Sequence, residues 1–333
     1  MFYKIIIGDR FITVLIIFLF ALGIWLPSFL SSEIIKDREI SGAMPLFDLF
    51  SFFLKGNLFL SKLLAFGLVL FEAFLLVRIN AKFVLIQKKT FLPALFFIII
   101  AGYSPFLLQW NPVLPAAFFI IMVLEVIFQS YKDEPNTYRL FEAGMLLGLG
   151  SMFYAPLVYL LAFIWFACMV QRPFYWREYL FPFLGLLVPY VFFFAYLFFE
   201  DKSIPEFLEK LKSYFVLEFA FHQVHWIYWI FSVYLAFLIF LSSVYQLKVF
   251  QFRKIYIRDY FMVLFWLFIT TSFVYIFLSG FNIGITYVIG ISLSYILTNY
   301  FINARENFGN KFLFYLLLGF VVFMALNNLT GIL

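Results

Sequence analysis

Runs of apolar residues close to twenty long recur from one end of this chain to the other, with only short charged stretches between them. A helix of about twenty apolar residues crosses the roughly 30 Å of hydrocarbon in a bilayer. Lipid offers the backbone no hydrogen-bond partners, so each run must satisfy its own N–H and C=O groups, and the helix does that. Eleven runs qualify, at roughly 11–30, 58–77, 90–104, 113–129, 138–151, 154–170, 179–199, 226–246, 260–279, 284–302 and 312–329. Several are near the lower limit of length. The pairs 90–129 and 138–170 also admit a reading as hairpins broken around Ser104-Pro105 and Tyr154-Ala155-Pro156. Composition closes off a soluble alternative: 65% of the chain is hydrophobic and 12% charged, where a soluble domain carries roughly a quarter charged residues. No polar stretch is long enough for a separate domain, so residues 1–333 read as one all-α membrane bundle of about eleven spans.

Charge in the loops sets the expected orientation. Every second loop, counted from the N-terminus, holds sixteen of the 23 Lys and Arg residues, whereas the other set holds six and Lys62 lies inside a run. Basic residues stay on the cytoplasmic side, which predicts the N-terminus inside and the C-terminus outside. Gaining or losing one span would scramble the alternation. The net charge of +5 therefore reads as headgroup anchoring and topology control, not nucleic-acid binding. A single cysteine, Cys168, excludes an intrachain disulfide and a cysteine metal cluster. The first run follows Lys4 and Arg10 as a signal peptide would, but no small-residue cleavage site follows it, and it reads as a retained span.

Two outer loops have substance. The first, 31–57, contains Lys36, Asp37, Arg38, Glu39 and Asp48, and its apolar stretch from Met44 suits a short helix lying in the interface. The second, 200–222, has helical spacing from Ile204 to Phe215 with Pro205 early in the helix. Asp37, Glu39 and Asp48 are candidate catalytic acids, because carboxylates on such a loop can deprotonate an acceptor hydroxyl or hold a divalent cation. The ordinary reading is a solvated charged loop. His222 and His225 stand one helical turn apart, with Glu218 a weak third ligand, and an interfacial cap beside Trp226 outweighs a metal site. Arg172, Trp176 and Arg177 form an inner basic–aromatic stretch, read as an anchor or as an anionic-lipid or partner contact. Glu72 and Glu125 fall inside spans, at similar estimated depths, so one polar pocket could hold both. Either they couple ions or protons, or they make a structural hydrogen bond or pair with Arg78 or Asn80. The second is favoured. Gly-rich phosphate loops, Cys/His metal frameworks and Gly-x-Ser-x-Gly elbows are absent from the sequence.

The run Leu140-Phe141-Glu142-Ala143-Gly144-Met145-Leu146-Leu147-Gly148-Leu149-Gly150-Ser151-Met152-Phe153-Tyr154, followed by Arg172-Pro173-Phe174-Tyr175-Trp176-Arg177-Glu178, resembles a Bacteroidota-restricted family of polytopic membrane proteins without an assigned activity. Trp25-Leu26-Pro27 and Thr90-Phe91-Leu92-Pro93 fit the same family, and the resemblance covers most of residues 1–200. A looser topological likeness is to multi-spanning glycosyltransferases of the GT-C type, which use polyprenyl-phosphate-linked sugars. Those enzymes place catalytic acids on the first outer loop. Asp37-Arg38-Glu39 stands where they carry a tighter acidic pair. The resemblance implies an inner-membrane envelope protein with a polyprenyl-phosphate sugar as donor. Lys36, Arg38, His222 and His225 would then face lipid or substrate. A divalent cation is an open addition. The alternative is a non-catalytic scaffold or partner subunit contacting lipids and other envelope proteins; an ion-coupled transporter is third.

Overall fold

The computed structural model describes residues 6, 8, 10–30, 42–54, 57–131, 137–171, 175–200, 204–214, 226–249, 253–278, 282–304 and 307–330. Among them are thirteen α-helices and no strand apart from one isolated bridge. In chain order these are α1 (Phe11–Leu30), α2 (Pro45–Leu54), α3 (Leu58–Phe83), α4 (Leu92–Gly102), α5 (Val113–Gln129), α6 (Thr137–Ser151) and α7 (Leu161–Gln171). They continue as α8 (Trp176–Phe199), α9 (Ile204–Tyr214), α10 (Trp226–Val249), α11 (Ile255–Phe273), α12 (Thr286–Asn303) and α13 (Phe308–Thr330). All eleven apolar runs are largely helical, and the 31–57 and 200–222 stretches carry the short helices expected there, α2 and α9. Seven helices are long and apolar enough to cross a membrane, whereas α4, α5, α6 and the Ala155–Gln171 segment are shorter.

Burial separates the seven. The Ile283–Asn303 segment has 89% of its most apolar stretch buried, against 28–44% for the others, so it runs through the middle of the bundle. Its main partner is α4, in which all eleven residues from Leu92 to Gly102 are buried. Gly290 makes the approach possible: a Cβ there would stand 3.2 Å from Ile100. The other long helices present large apolar side chains outward, such as Phe74, Phe192 and Phe237. In water such a surface would be a liability; against acyl chains it is the expected exterior.

Both suspected breaks are real. Between α4 and α5 the chain turns through a 3₁₀ segment, Pro105–Leu107. A second, Ala155–Leu160, joins α6 to α7. The first break is recessed inside the bundle rather than sitting at its surface: Ser104, Leu107, Leu108 and Asn111 are all buried. Its exposed carbonyls are satisfied from other helices. The Ser28 hydroxyl donates to Leu108 O at 2.5 Å and the Tyr287 hydroxyl to Leu107 O, which is how irregular backbone is tolerated at membrane depth.

The tightest pairing is α6 on α8. A Cβ on Gly144 would lie 2.0 Å from Pro182 O, on Gly148 2.6 Å from Leu186 O, and on Gly185 2.2 Å from Phe141 O. The two backbones touch. Small residues four apart allow this, and dispersion then holds helices that have no hydrophobic drive to associate in lipid. Ser151 and Tyr190 add a hydroxyl–hydroxyl bond of 2.8 Å across the same pair. Gly144→Leu is therefore expected to abolish a monodisperse folded species in size-exclusion chromatography. Gly319→Leu, where a Cβ meets nothing within 4 Å, should elute as the natural protein does.

Candidate functional site

Contacts between segment ends fall into two groups, at opposite ends of α3, which is 26 residues and so about 39 Å long. One end holds Lys62 with Ser28, the recessed break, Trp110 with Ser51 (3.2 Å), and Tyr228 with Asn328 (3.3 Å). The other gathers Arg78, Lys82, Glu125, Gln129, Tyr131 and Asp259. Three features stand out between and at these ends.

The first is a groove at the Lys62 end. The residues leading into α2 are stitched to the α6–α7 break: Met44 N donates to Phe153 O (3.2 Å), Leu46 N to Met152 O (3.2 Å) and Ala155 N to Gly42 O (3.0 Å). Gly42 has φ of 99°, and a Cβ there would meet the Tyr154 ring at 2.9 Å, so the junction requires glycine twice over. Helix α9 joins the same place. Along α9, Ile204, Phe207, Leu211 and Tyr214 are half-buried, while Pro205, Leu208, Glu209 and Lys212 are exposed. Phe207 packs on Phe193 at 4.9 Å and on Phe194 at 5.8 Å, and the Tyr214 hydroxyl donates to Ala43 O at 2.9 Å. Next to these helices α6 and α8 stay packed through the glycine contact and the Ser151–Tyr190 bond. They leave a cavity of about 320 Å³ lined by Leu46, Met145, Leu149, Met152, Val188, Pro189, Phe192 and Phe193, with an entirely apolar wall.

The second feature is the ion cluster at the far end. Glu125 is buried, and its carboxylate accepts from Arg78 at 2.9 and 3.2 Å, from Lys82 at 2.8 Å and from Gln129 at 3.3 Å. The Arg78 and Lys82 side chains are about half exposed, which lets their charges reach headgroups or water while their stems cover the cluster. Beside it, the Tyr131 hydroxyl donates to Asp259 at 2.8 Å. Burial first, and then the Asp259 carboxylate, push the Tyr131 hydroxyl well above its ordinary value, so it remains a donor at any physiological pH.

The third is Glu72, fully buried, with neither carboxylate oxygen hydrogen-bonded among the described residues. Sequence reasoning gave Glu72 and Glu125 a common depth; the structure separates them. Glu72 interacts electrostatically with Tyr287 and Glu125 with Tyr295, eight residues and about 12 Å apart along α12. The error lay in measuring both from the outer ends of their helices. Because α5 starts from the recessed break, Glu125 lies deeper than a count from the surface implies, level with Arg78.

Of the remaining candidates, Asp48 lies exposed on α2, two residues from groove-lining Leu46. Trp176 and Arg177 are exposed at the start of α8, the guanidinium 5.7 Å from the indole ring, as interfacial anchors are. Lys36, Asp37, Arg38, Glu39, Arg172, His222 and His225 lie outside the described residues. Among those described, no three His, Cys, Asp or Glu side chains assemble as a metal site. Lys82 and Gln129 were missed as partners of Glu125, although Lys82 stands four residues after Arg78 on the same helix face. No family model, curated protein or solved structure matches the chain.

The ion cluster predicts non-additivity. Arg78→Ala or Lys82→Ala alone leaves Glu125 one cation and should cost little thermal stability in detergent. The double variant strands a buried carboxylate, at a cost of about 3–5 kcal/mol, and its melting temperature should fall by well over the sum of the single shifts.

Proposed function

We propose that this is a multi-pass protein of the bacterial inner membrane that holds a long-chain lipid in the groove between α6 and α8. In this reading it acts as a GT-C-like glycosyltransferase, drawing on a polyprenyl-phosphate-linked sugar at the outer face. The observation that carries the reading is the groove: wholly apolar and overhung by helices from both large outer loops. Such a wall suits an isoprenoid tail, and its volume is at the lower end of those that hold small ligands. The phosphate would emerge between α2 and α9, where Lys212 and Asp48 are exposed.

Transfer of the sugar needs an acceptor hydroxyl next to a base and a leaving phosphate next to positive charge. Asp48, with Asp37 and Glu39 upstream on the same loop, would serve as base or as ligand to a divalent cation. Lys36, Arg38, His222 and His225 would face the phosphate or sugar. A scaffold role in an envelope assembly is favoured by one specific observation: Asp48 faces solvent, and no charged side chain lines the groove.

Eleven crossings are part of the proposal. The two-ended segregation of loop contacts is what an alternating path produces, and the sixteen-to-six division of basic residues supports a cytoplasmic Glu125 end. In a Cys168→Ala background, Lys212→Cys should react with an impermeant maleimide on intact cells. Lys254→Cys should react only after permeabilisation, and labelling of both from one side would contradict the orientation. For the groove itself, a diazirine-bearing polyprenyl phosphate should crosslink to peptides containing Leu149 and Phe193. Leu149→Trp, which fills the cavity, should cut that labelling about tenfold, a loss of roughly 1.4 kcal/mol in affinity. Labelling spread evenly over the outward-facing helices would defeat the lipid-binding reading.

A further inference from the structure

Glu72 has no role in the lipid groove, and its surroundings are unusual for a carboxylate. It lies on the inward stripe of α3 with Val69, Ala73 and Leu76, completely buried. From α12 the titratable group facing it is Tyr287. From α5 the Phe118 backbone approaches its carboxyl, and Glu125 lies further along that helix. Neither α4 nor α1 carries an ionisable residue. Along α3, Lys62 is ten residues away in one direction and Arg78 six in the other, about 15 and 9 Å. Both are engaged, Lys62 with Ser28 O at 2.5 Å and Arg78 with Glu125. An ionised Glu72 would therefore be a buried charge without a counter-ion, which a membrane-embedded interior disfavours.

Polar groups continue from Glu72 in both directions. Towards the groove end the order is Tyr287, the Leu107 and Leu108 carbonyls, Ser28 and Lys62. Towards the other end, Leu76 is one helical turn along α3, and its carbonyl accepts from the Tyr295 hydroxyl at 2.7 Å. Tyr295 interacts with Glu125, whose partners Arg78 and Lys82 reach the surface. Hydroxyls, carbonyls and carboxylates thus form a discontinuous thread on either side of Glu72, whose own carboxylate makes no hydrogen bond among the described residues. A metal ion would need several ligands, and among the described residues no group of three suitable side chains is present; a proton needs one.

We propose that Glu72 is a reversible proton-binding site at the midpoint of this thread, giving the protein a proton-exchange function inside the membrane. The chemical step is reversible proton uptake: a carboxylate oxygen forms an O–H bond with an incoming proton and the acid releases that proton again, with no other bond made or broken. The proposal is independent of the groove, since no groove residue takes part.

A hydrophobic carbodiimide tests it on the wild-type protein in lipid nanodiscs, because such reagents modify protonated carboxyls in apolar surroundings. Peptide mass spectrometry should find Glu72 modified at pH 6 and Glu125, held by its two cations, unmodified. Modification of Glu72 should fall about tenfold for each pH unit above its titration midpoint. In proteoliposomes reporting internal pH, Glu72→Gln should slow proton equilibration to the rate of empty vesicles. An unmodified Glu72 at pH 6, or equal modification from pH 6 to pH 9, would overturn the proposal. So would Glu72→Gln vesicles as permeable as wild type. If Glu72→Gln fails to fold, the wild-type titration alone decides.

Discussion

The contact between α4 and α12 is the constraint on which the rest of the bundle depends. A helix of eleven residues, every one buried, is about 17 Å long, too short to cross a bilayer unaided. It can exist at membrane depth only if other helices surround it and something closes its unpaired carbonyls. The Ile283–Asn303 segment supplies both. It covers α4 along its length through Gly290, and its Tyr287 hydroxyl caps the turn that follows. Its own polar side chains are turned onto backbone: Ser292, Ser294 and Thr298 each bond a carbonyl three or four residues earlier. A helix sequence that looks moderately polar is thereby made acceptable at the centre of a membrane bundle.

From that centre the functional features follow. Because the α4–α5 break is recessed, α5 begins deep and carries Glu125 to the level of Arg78 and Lys82, where half-exposed cations can neutralise it. Glu72, on the longer α3, is left partway between the ends without such partners. The groove arises on the opposite flank for a different reason. Glycines bring α6 and α8 into backbone contact, and the larger side chains beside that contact, Met145, Leu149, Pro189 and Phe193, border the cavity. The two outer loops then converge over the gap through Gly42, Tyr154 and Tyr214.

Much of the architecture was legible in the sequence because it follows from local rules. Each apolar run is a helix, Pro105 and Pro156 mark true breaks, and the spacing of Ile204, Phe207, Leu211 and Tyr214 placed α9. The pairing of Glu125 with Arg78 was also within reach, since an unpaired carboxylate there would be costly. Other features depend on how helices sit against each other, which periodicity does not encode. The depth difference between Glu72 and Glu125 required knowing that the break is recessed. The Gly144-x-x-x-Gly148 spacing went unread as a close-packing signal, and nothing in it says that the partner is Gly185 or that a groove opens beside the contact. The acids of the first large loop, apart from Asp48, lie outside the described residues.

The central claim is a two-ended bundle whose outer end opens a lipid groove beneath α9. Cryo-electron microscopy of the protein in nanodiscs of native lipid measures this directly. The account predicts elongated density between Leu149 and Phe193, running from the acyl region of one leaflet to the space under α9, with Arg78 and Lys82 at the headgroups of the other leaflet. Side chains filling that space in the lipid-embedded protein, or α9 and Lys82 at the same membrane face, would contradict it.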